Sequence, residues 1–368
     1  MTYRPTEAVV DLDAVRHNVR RLKPPGAELM AVVKADGYGH GAVPVAHAAL
    51  EAGATWLGVA LVEEGIALRE AGIDVPILVL SEVPRGAERD AVGARLTPSL
   101  YTEEGVEALA TASRAAGRPV AVHVKLDTGM HRVGLDPEKA EPFVRAAVEG
   151  GLELEGLWTH FAVADQPGHP SVSAQLSRFT ATVEELARAG LRPRLLHAAN
   201  TAATLTLPSA HLDLVRVGIG LYGLAPSVEL GRFDLRPVMT LRAHASLVRR
   251  LPAGEAISYG HRYRLDGDAT IVTAPIGYAD GYARRLTETG RVLIRGRRYP
   301  LAGTVTMDQL MVDCGDDPVE AGDEVVLFGL QGQEEITADE VAAWSASIGY
   351  EVVCGVSARV PRRYLGER

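Results

Sequence analysis

Between about residue 29 and residue 217, short apolar runs alternate with longer stretches whose apolar residues recur at helical spacing. The short runs, read as strands, fall at 30–35, 56–60, 77–80, 95–100, 120–126, 154–159, 195–197 and 214–217. The amphipathic stretches at 43–52, 62–71, 103–116, 138–148 and 172–189 read as helices. Gly53, Gly72, Gly117 and Gly190 follow four of them, where glycine commonly stops a helix. Alternation implies parallel strands joined by crossovers, and eight such units in roughly 200 residues fit a closed barrel. An open doubly wound sheet also alternates but rarely needs eight units.

After about residue 226 the texture changes. Short β-prone runs appear at 241–247, 270–276, 292–294, 310–312 and 324–328, punctuated by Pro252, Gly254, Gly296, Pro300 and Gly322. That pattern predicts a separate, mainly β domain. One helix, 338–348, is expected inside it, with Thr337 as N-cap. The opening run 8–12 precedes the barrel and fits either domain. The predicted fold is therefore an α/β barrel (TIM-like, eight parallel strands) followed by a mainly β C-terminal domain.

Composition adds little chemistry. The 368 residues suffice for two domains with buried cores. Apolar residues make up 47% and charged residues 23%, the balance of an ordinary globular protein. A net charge of −9 without an extended basic run argues against nucleic-acid binding. No basic segment leads into an apolar one at the start, and no apolar segment approaches bilayer length. A cytoplasmic protein with no membrane partner is expected. Cys314 and Cys354 show neither CxxC nor Cys/His ligand spacing and read as two buried thiols, with no metal site.

In a barrel, the polar residues at the carboxyl ends of the strands converge on one mouth. The first strand delivers Lys34 within AVVKADGYGHG. A partly desolvated amine there has a lowered pKa and suits a Schiff base with an aldehyde cofactor; the plain alternative is a lysine reaching out of a strand end. The fifth strand leads into Lys125, Asp127 and Arg132 within VKLDTGMHRVG, the sixth ends at His160, the seventh at His197 and Asn200, and the eighth carries Arg216 before Gly218 and Gly220. Each alone reads as a satisfied core polar group or a rim ion pair. Together they bring charged or hydrogen-bonding groups from five strand ends. Asn200-Thr201 and Gly218-Ile219 occupy the loops where barrels often bind phosphate through backbone N–H groups, so a phosphate-bearing cofactor fits.

These segments, with HAANTAAT, VRVGIGLYG, ISYGHRY, IGYADGY, TMDQ and YEVVCGVSARVPR, resemble in order the signature segments of the alanine racemase family, pyridoxal phosphate-dependent enzymes of fold type III. The resemblance runs from Lys34 to Arg363. It implies residues 1–10 as a strand joining the β domain and 11–230 as the barrel carrying pyridoxal 5'-phosphate. Residues 231–368 are implied as the β-rich domain that supplies a second base and dimer contacts. The implied reaction is two-base interconversion of L- and D-alanine, supplying D-alanine for peptidoglycan.

Position by position, the resemblance makes Lys34 the lysine that carries the cofactor as a Schiff base and one of the two bases. Tyr259 is the other, on the opposite face of the substrate Cα; a phenol of ordinary pKa about 10 needs neighbouring positive charge for that task. Tyr38, Thr201, Gly218, Ile219 and Tyr350 match phosphate-contacting positions, and Asn200 and His160 belong to the same cofactor site. Arg216 matches the arginine facing the pyridine nitrogen, with His160 behind it. An arginine keeps its proton, so that nitrogen stays unprotonated and side reactions are limited. Arg132 and the backbone at Met307 would hold the substrate carboxylate, and Lys125 matches a lysine often carbamylated in the family. Tyr259 and Met307 are implied to reach the site from the partner subunit of a homodimer with shared active sites, and Tyr278 and Asp308 to line the same entrance. Thr201 replaces the commoner serine and keeps the hydroxyl. Thr304 and Thr306 stand before MDQ where arginine and cysteine are found in well-known members, leaving Asp165 and Arg284 as available entrance charges and predicting altered substrate access. A serine or broader-specificity racemase would share these motifs. A pyridoxal phosphate-binding homeostasis protein would lack the last 140 or so residues, and a decarboxylase would lack HAANT and TMDQ.

Overall fold

Eight parallel strands form from the alternating segment in the computed structural model, which describes residues 3–367. Strand β1 (Thr6–Asp11) opens the chain. The barrel strands follow: β2 (Glu28–Val32), β3 (Trp56–Val59), β4 (Ile77–Glu82), β5 (Thr97–Leu100), β6 (Val120–Lys125), β7 (Leu152–Trp158), β8 (Leu195–His197) and β9 (Leu214–Val217). They pair in the order β8-β7-β6-β5-β4-β3-β2-β9. The seam between β8 and β9 is bridged by the Arg216 N–H to the Ala199 carbonyl and the Asp213 N–H to the Leu196 carbonyl, each 3.0 Å.

Strand β6 shows how side-chain alternation sorts the layers. Val122 and Val124 pack outward in one apolar cluster with Leu109, Phe143, Val144, Phe179 and Leu186 from the helices Glu103–Ala116, Ala140–Glu149 and Pro170–Arg188. Burial of each such side chain is worth about 1.5–3 kcal/mol. The intervening His123 and Lys125 lie on the opposite face of the strand. Met30, Trp56, Leu78, Leu195 and Leu214 make a second buried apolar cluster, one residue from each of five barrel strands. Helix Glu103–Ala116 starts where the Thr102 hydroxyl accepts the Gly105 N–H at 3.0 Å and stops at Gly117, whose φ of 66° a side chain would resist.

Several boundaries differ from the sequence reading. Strand β2 ends at Val32 instead of 35, because the chain turns into a left-handed conformation after Lys34. Helix Leu12–Leu22 was not predicted; its polar sequence hides the buried Val15, Val19 and Leu22. Its Asn18 amide donates to the Leu221 and Arg236 carbonyls and accepts the Arg236 N–H, tying the end of the barrel segment to its beginning.

The barrel unit comprises residues 15–37 and 42–236; residues 3–14, 38–41 and 237–367 form the β unit. Of the segments 1–10 and 231–368 assigned from sequence, Met1, Thr2 and Arg368 lie outside the described residues. In the β unit, β1 pairs antiparallel with Met239–His244 and parallel with Arg362–Leu365, so the opening run joins this unit. The sheet continues from Met239–His244 through Glu324–Gln331 to Arg291–Ile294 and Arg297–Pro300. A second sheet holds Leu247–Leu251, Ala269–Ala274 and Leu310–Asp313, so the run expected at 241–247 is divided between two sheets. Thr337 caps helix Ala338–Trp344 through the Glu340 N–H, but the helix expected to reach 348 stops early: Ala346 has a φ of 51°, and a separate helix follows at Gly349–Cys354. Cys314 is buried as expected; Cys354 is exposed. No helix among the described residues is long and apolar enough to cross a membrane.

Gly156 on β7 lies against His123: a Cβ there would stand 2.5 Å from the ring's Nδ1. The ring is completely buried and cannot swing away. Gly156→Ala should therefore destabilise the protein by about 1–3 kcal/mol, the usual cost of overpacking. The check is thermal melting at equal protein concentration, and an unchanged melting temperature contradicts the packing account.

Candidate active site

The first strand ends in a local conformation that L-residues avoid. After Lys34, the residues Ala35, Asp36 and Gly37 take φ/ψ near 50–60°/46–51°, and Tyr38 has a φ of 51°. For non-glycine residues this costs roughly 1–2 kcal/mol each, so the turn must be held from outside. It is. The Gly37 N–H donates to the Val33 carbonyl (2.8 Å), the Ala35 N–H to Glu64 (2.6 Å), and the Asp36 carboxylate accepts the Ala42 N–H (2.9 Å). Lys34 enters this turn half-buried.

Around the same barrel mouth stand Lys125, Arg132, His160 and Arg216. Arg216 is 3% exposed. Its Nη1 donates to His197 Nδ1 (3.0 Å), and its Nη2 faces the Thr159 carbonyl (2.7 Å), His160 Nδ1 (3.1 Å) and the Ala198 carbonyl (3.1 Å). Burial lowers its pKa to about 9, which still leaves the guanidinium charged at neutral pH. Burial also lowers Lys125 to about 8, helped by the positive charges of Arg132, Arg216 and Lys34, with Asp127 opposing. His160 is held well below its ordinary value by burial and by Arg216, Lys125, Arg132 and Lys34. The four cations are thus close enough to act on one another. Arg132 rides on a tight loop in which the Asp127 carboxylate accepts the N–H groups of Gly129, Met130 and His131.

The loops after β8 and β9 interlock. The Asn200 side chain caps helix Thr201–Thr206 by accepting the Ala203 N–H (3.0 Å), and the buried Thr201 hydroxyl accepts the Gly218 N–H (3.0 Å). Ile219 begins the turn that follows. Lys34, Lys125, Arg132, His160, Asn200, Thr201, Arg216, Gly218 and Ile219 therefore all belong to the barrel unit. Such a donor set, rich in cations and with Asp127 as the nearby carboxylate, fits a ligand carrying phosphate and carboxylate charge, and so fits pyridoxal phosphate with an amino acid.

The remaining candidates belong to the β unit. Tyr38 and Tyr350 approach with ring centroids 6.4 Å apart; burial, then Tyr350 and Cys354, push the Tyr38 phenol upward. Tyr259 and Met307 are 74% and 52% exposed. The carbonyl of Tyr259 accepts the Thr304 hydroxyl (2.8 Å), and a hollow of about 400 Å³ is lined by Ser258, Tyr259, Gly260, His261 and Thr306. The Met307 backbone is seated on Gly277, where a Cβ would lie 2.2 Å from the Thr306 carbonyl. Asp308 pairs with Arg359 at 2.7 Å. Thr304 and Thr306, odd in sequence, have local tasks: Thr306 exchanges hydrogen bonds with the Gln309 backbone.

Sequence reasoning missed two residues near Arg216, His123 and Trp158. His123 bonds His197 across the barrel (2.8 Å), and Trp158 stacks on His197 at 8° with Lys125 and Arg216 over its ring. Alternation marks them as inward-facing, but their partners come from different strands.

Two family patterns match this chain: "Alanine racemase, N-terminal domain" over residues 10–226 and "Alanine racemase, C-terminal domain" over residues 238–364. An alanine racemase of Symbiobacterium thermophilum is 52% identical, with 99% of this chain and 98% of the relative covered. One from Frankia casuarinae is 49% identical over 97% of this chain and 96% of the relative. Among solved structures, alanine racemase from the D-cycloserine-producing Streptomyces lavendulae superposes with a TM-score of 0.95 at 44% identity, covering 100% of this chain and 99% of that one. The Bacillus anthracis alanine racemase with bound L-Ala-P gives 0.92 at 39% identity, covering 99% and 96%. The order of the site segments, the barrel with its β unit and these full-length likenesses agree: this chain belongs to the alanine racemase family.

Proposed function

We propose that this protein interconverts L- and D-alanine with pyridoxal 5'-phosphate, supplying D-alanine for cell-wall peptidoglycan, as a cytoplasmic enzyme acting on a free amino acid. Family membership carries the activity. The cluster of Lys34, Lys125, Arg132 and Arg216 supports the residue roles. Pyridoxal phosphate, when bound, supplies a carbonyl that links to the substrate amine and a ring that draws electrons from the Cα–H bond.

Tyr38, Thr201, Gly218, Ile219 and Tyr350 would hold the phosphate, with Asn200 in the same cofactor site. Lys34 Nζ would hold the cofactor as a Schiff base, and its amine would exchange the Cα proton on one face of the substrate. Tyr259 Oη exchanges it on the other. Each acts as base in one direction and as acid in the reverse, because inversion requires removal and return on opposite faces. Arg132 and the Met307 backbone orient the substrate carboxylate. Arg216, backed by His160, would face the ring nitrogen, and because an arginine keeps its proton that nitrogen would stay unprotonated.

Lys125 is best understood as a carbamate. With a pKa near 8, about one amine in ten is neutral at pH 7 and free to add carbon dioxide with loss of a proton. That replaces a cation among Arg132, Arg216 and Lys34 by an anion.

The site is shared between two copies of the chain. Exposure of Tyr259 and Met307, together with Tyr278 at 41%, supports a partner surface at this point, since large apolar and aromatic groups rarely cluster uncovered. Tyr259 and Met307 of one copy then serve Lys34 of the other.

Lys34→Ala should abolish racemisation and prevent borohydride from fixing the cofactor to the protein, read by intact mass. Trapping on another lysine with activity retained would exclude Lys34. Arg216→Glu should favour a protonated ring nitrogen, whose N–H a carboxylate accepts: a new visible absorbance with alanine and a rise in pyruvate from transamination are expected, and an unchanged spectrum with full activity contradicts the role. Lys34→Ala and Tyr259→Phe homodimers should each be nearly inactive. Heterodimers verified by dual tags should regain up to half of wild-type activity, since one of two sites is intact; no recovery refutes the shared site.

A further inference from the structure

Away from the cofactor side of Arg216, a buried chain of polar contacts runs through the barrel interior. Arg216 Nη1 donates to His197 Nδ1 at 3.0 Å, so a neutral His197 carries its proton on Nε2. That Nε2 lies 2.8 Å from His123 Nδ1, which must then accept, leaving the His123 proton on Nε2 as well. His123 Nε2 is buried, has no hydrogen bond among the described residues, and faces Glu155 Oε2 at 3.5 Å. Glu155 is held in turn by Arg194 at 2.9 Å, and Arg194 reaches Glu28 at 3.5 Å. Glu28 begins β2 and Arg194 immediately precedes β8, so the chain ends at the rim opposite the mouth.

Both imidazoles are completely buried. Burial, then His123 and Arg216, hold His197 well below its ordinary pKa; burial likewise lowers His123 despite Glu155. Two neutral rings in series, each with one donor and one acceptor, are favoured in the direction in which the arginine donates at one end and a carboxylate stands at the other. Their planes are fixed too: His197 stacks on Trp158, His123 packs against Trp56 with centroids 5.2 Å apart, and Gly156 leaves His123 its space. Among the described residues no carboxylate bonds Arg216 directly. The Glu155 carboxylate is the negative end of the series.

We propose that His123 and Glu155 are positioning residues for the reaction: they hold His197 in its Nε2–H form and so fix the guanidinium of Arg216 that faces the cofactor ring. This rests on the assignment of Arg216 to the ring nitrogen made above. It assigns a catalytic consequence to a carboxylate on the far rim of the barrel.

The test is the tautomer of the two rings in ¹⁵N-histidine-labelled holoenzyme, by solid-state NMR with signals assigned through single variants. The expected result at neutral pH is a proton on Nε2 of both rings. In Glu155→Leu a mixture of tautomers should appear at His123 and His197, the absorbance of the bound cofactor should shift, and kcat should fall roughly tenfold, the scale on which outer hydrogen-bond partners act. KM for alanine should change by less than about twofold, because the substrate carboxylate is held elsewhere. Glu155→Gln, whose amide oxygen leaves an acceptor facing His123 Nε2, should keep the wild-type tautomers and most of kcat. A proton on His197 Nδ1 in the wild type overturns the proposal, and that measurement decides the matter even if Glu155→Leu does not fold. Changed tautomers with unaltered kcat and spectrum overturn the positioning role. If Arg216→Glu is equally silent, the failure lies instead with the assignment of Arg216.

Discussion

A guanidinium enclosed in a barrel must find acceptors for its N–H groups, or the cost of its lost hydration reaches several kcal/mol. Arg216 meets that demand with groups drawn from the strand ends beside it. Thr159 and His160 follow β7, while His197 ends β8 and Ala198 follows it. Its own backbone N–H meanwhile bridges the seam to Ala199. Closure of the barrel and placement of the charge are therefore one requirement. A side chain that held the sheet together without the charge would leave two strand ends with unmatched acceptors.

The same requirement explains the electrostatics of the mouth. Burial first, and the positive charges of Lys34, Arg132 and Arg216 second, lower both the Lys125 amine and His160, which is why an anion at Lys125 suits this place. An anion placed among Lys34, Arg132 and Arg216 offsets their mutual repulsion. Folding tolerates the cluster because the apolar plug of Met30, Trp56, Leu78, Leu195 and Leu214 and the helix-facing layer on β6 supply stability elsewhere.

Much of this was legible in the residues. Strands β8 and β9 and helix Glu103–Ala116 have the predicted ends, because short apolar runs between glycine or capping residues leave little choice. Lys34, His160 and Arg216 were found because a barrel gathers its strand ends. Positions that depend on partners far along the chain were not legible: His123 and Trp158 look like ordinary strand residues, and the part His197 plays between them stays hidden, until β6, β7 and β8 are brought side by side. Helix Leu12–Leu22 was overlooked because only a narrow stripe of it is apolar. The early end of β2 was hidden for another reason. Gly37 hints at a turn, but nothing in Ala35 or Tyr38 reveals a left-handed backbone that is imposed by Glu64, Asp36 and Val33.

That turn has a stereochemical side. From Ala35 to Tyr38 the main chain occupies the region that mirror-image residues would choose unprompted. D-residues at 35, 36 and 38 would sit there without strain, whereas branched L-residues would be excluded. The peptide that presents Lys34 to a reaction indifferent to handedness is thus a stretch where the protein's own handedness works against it.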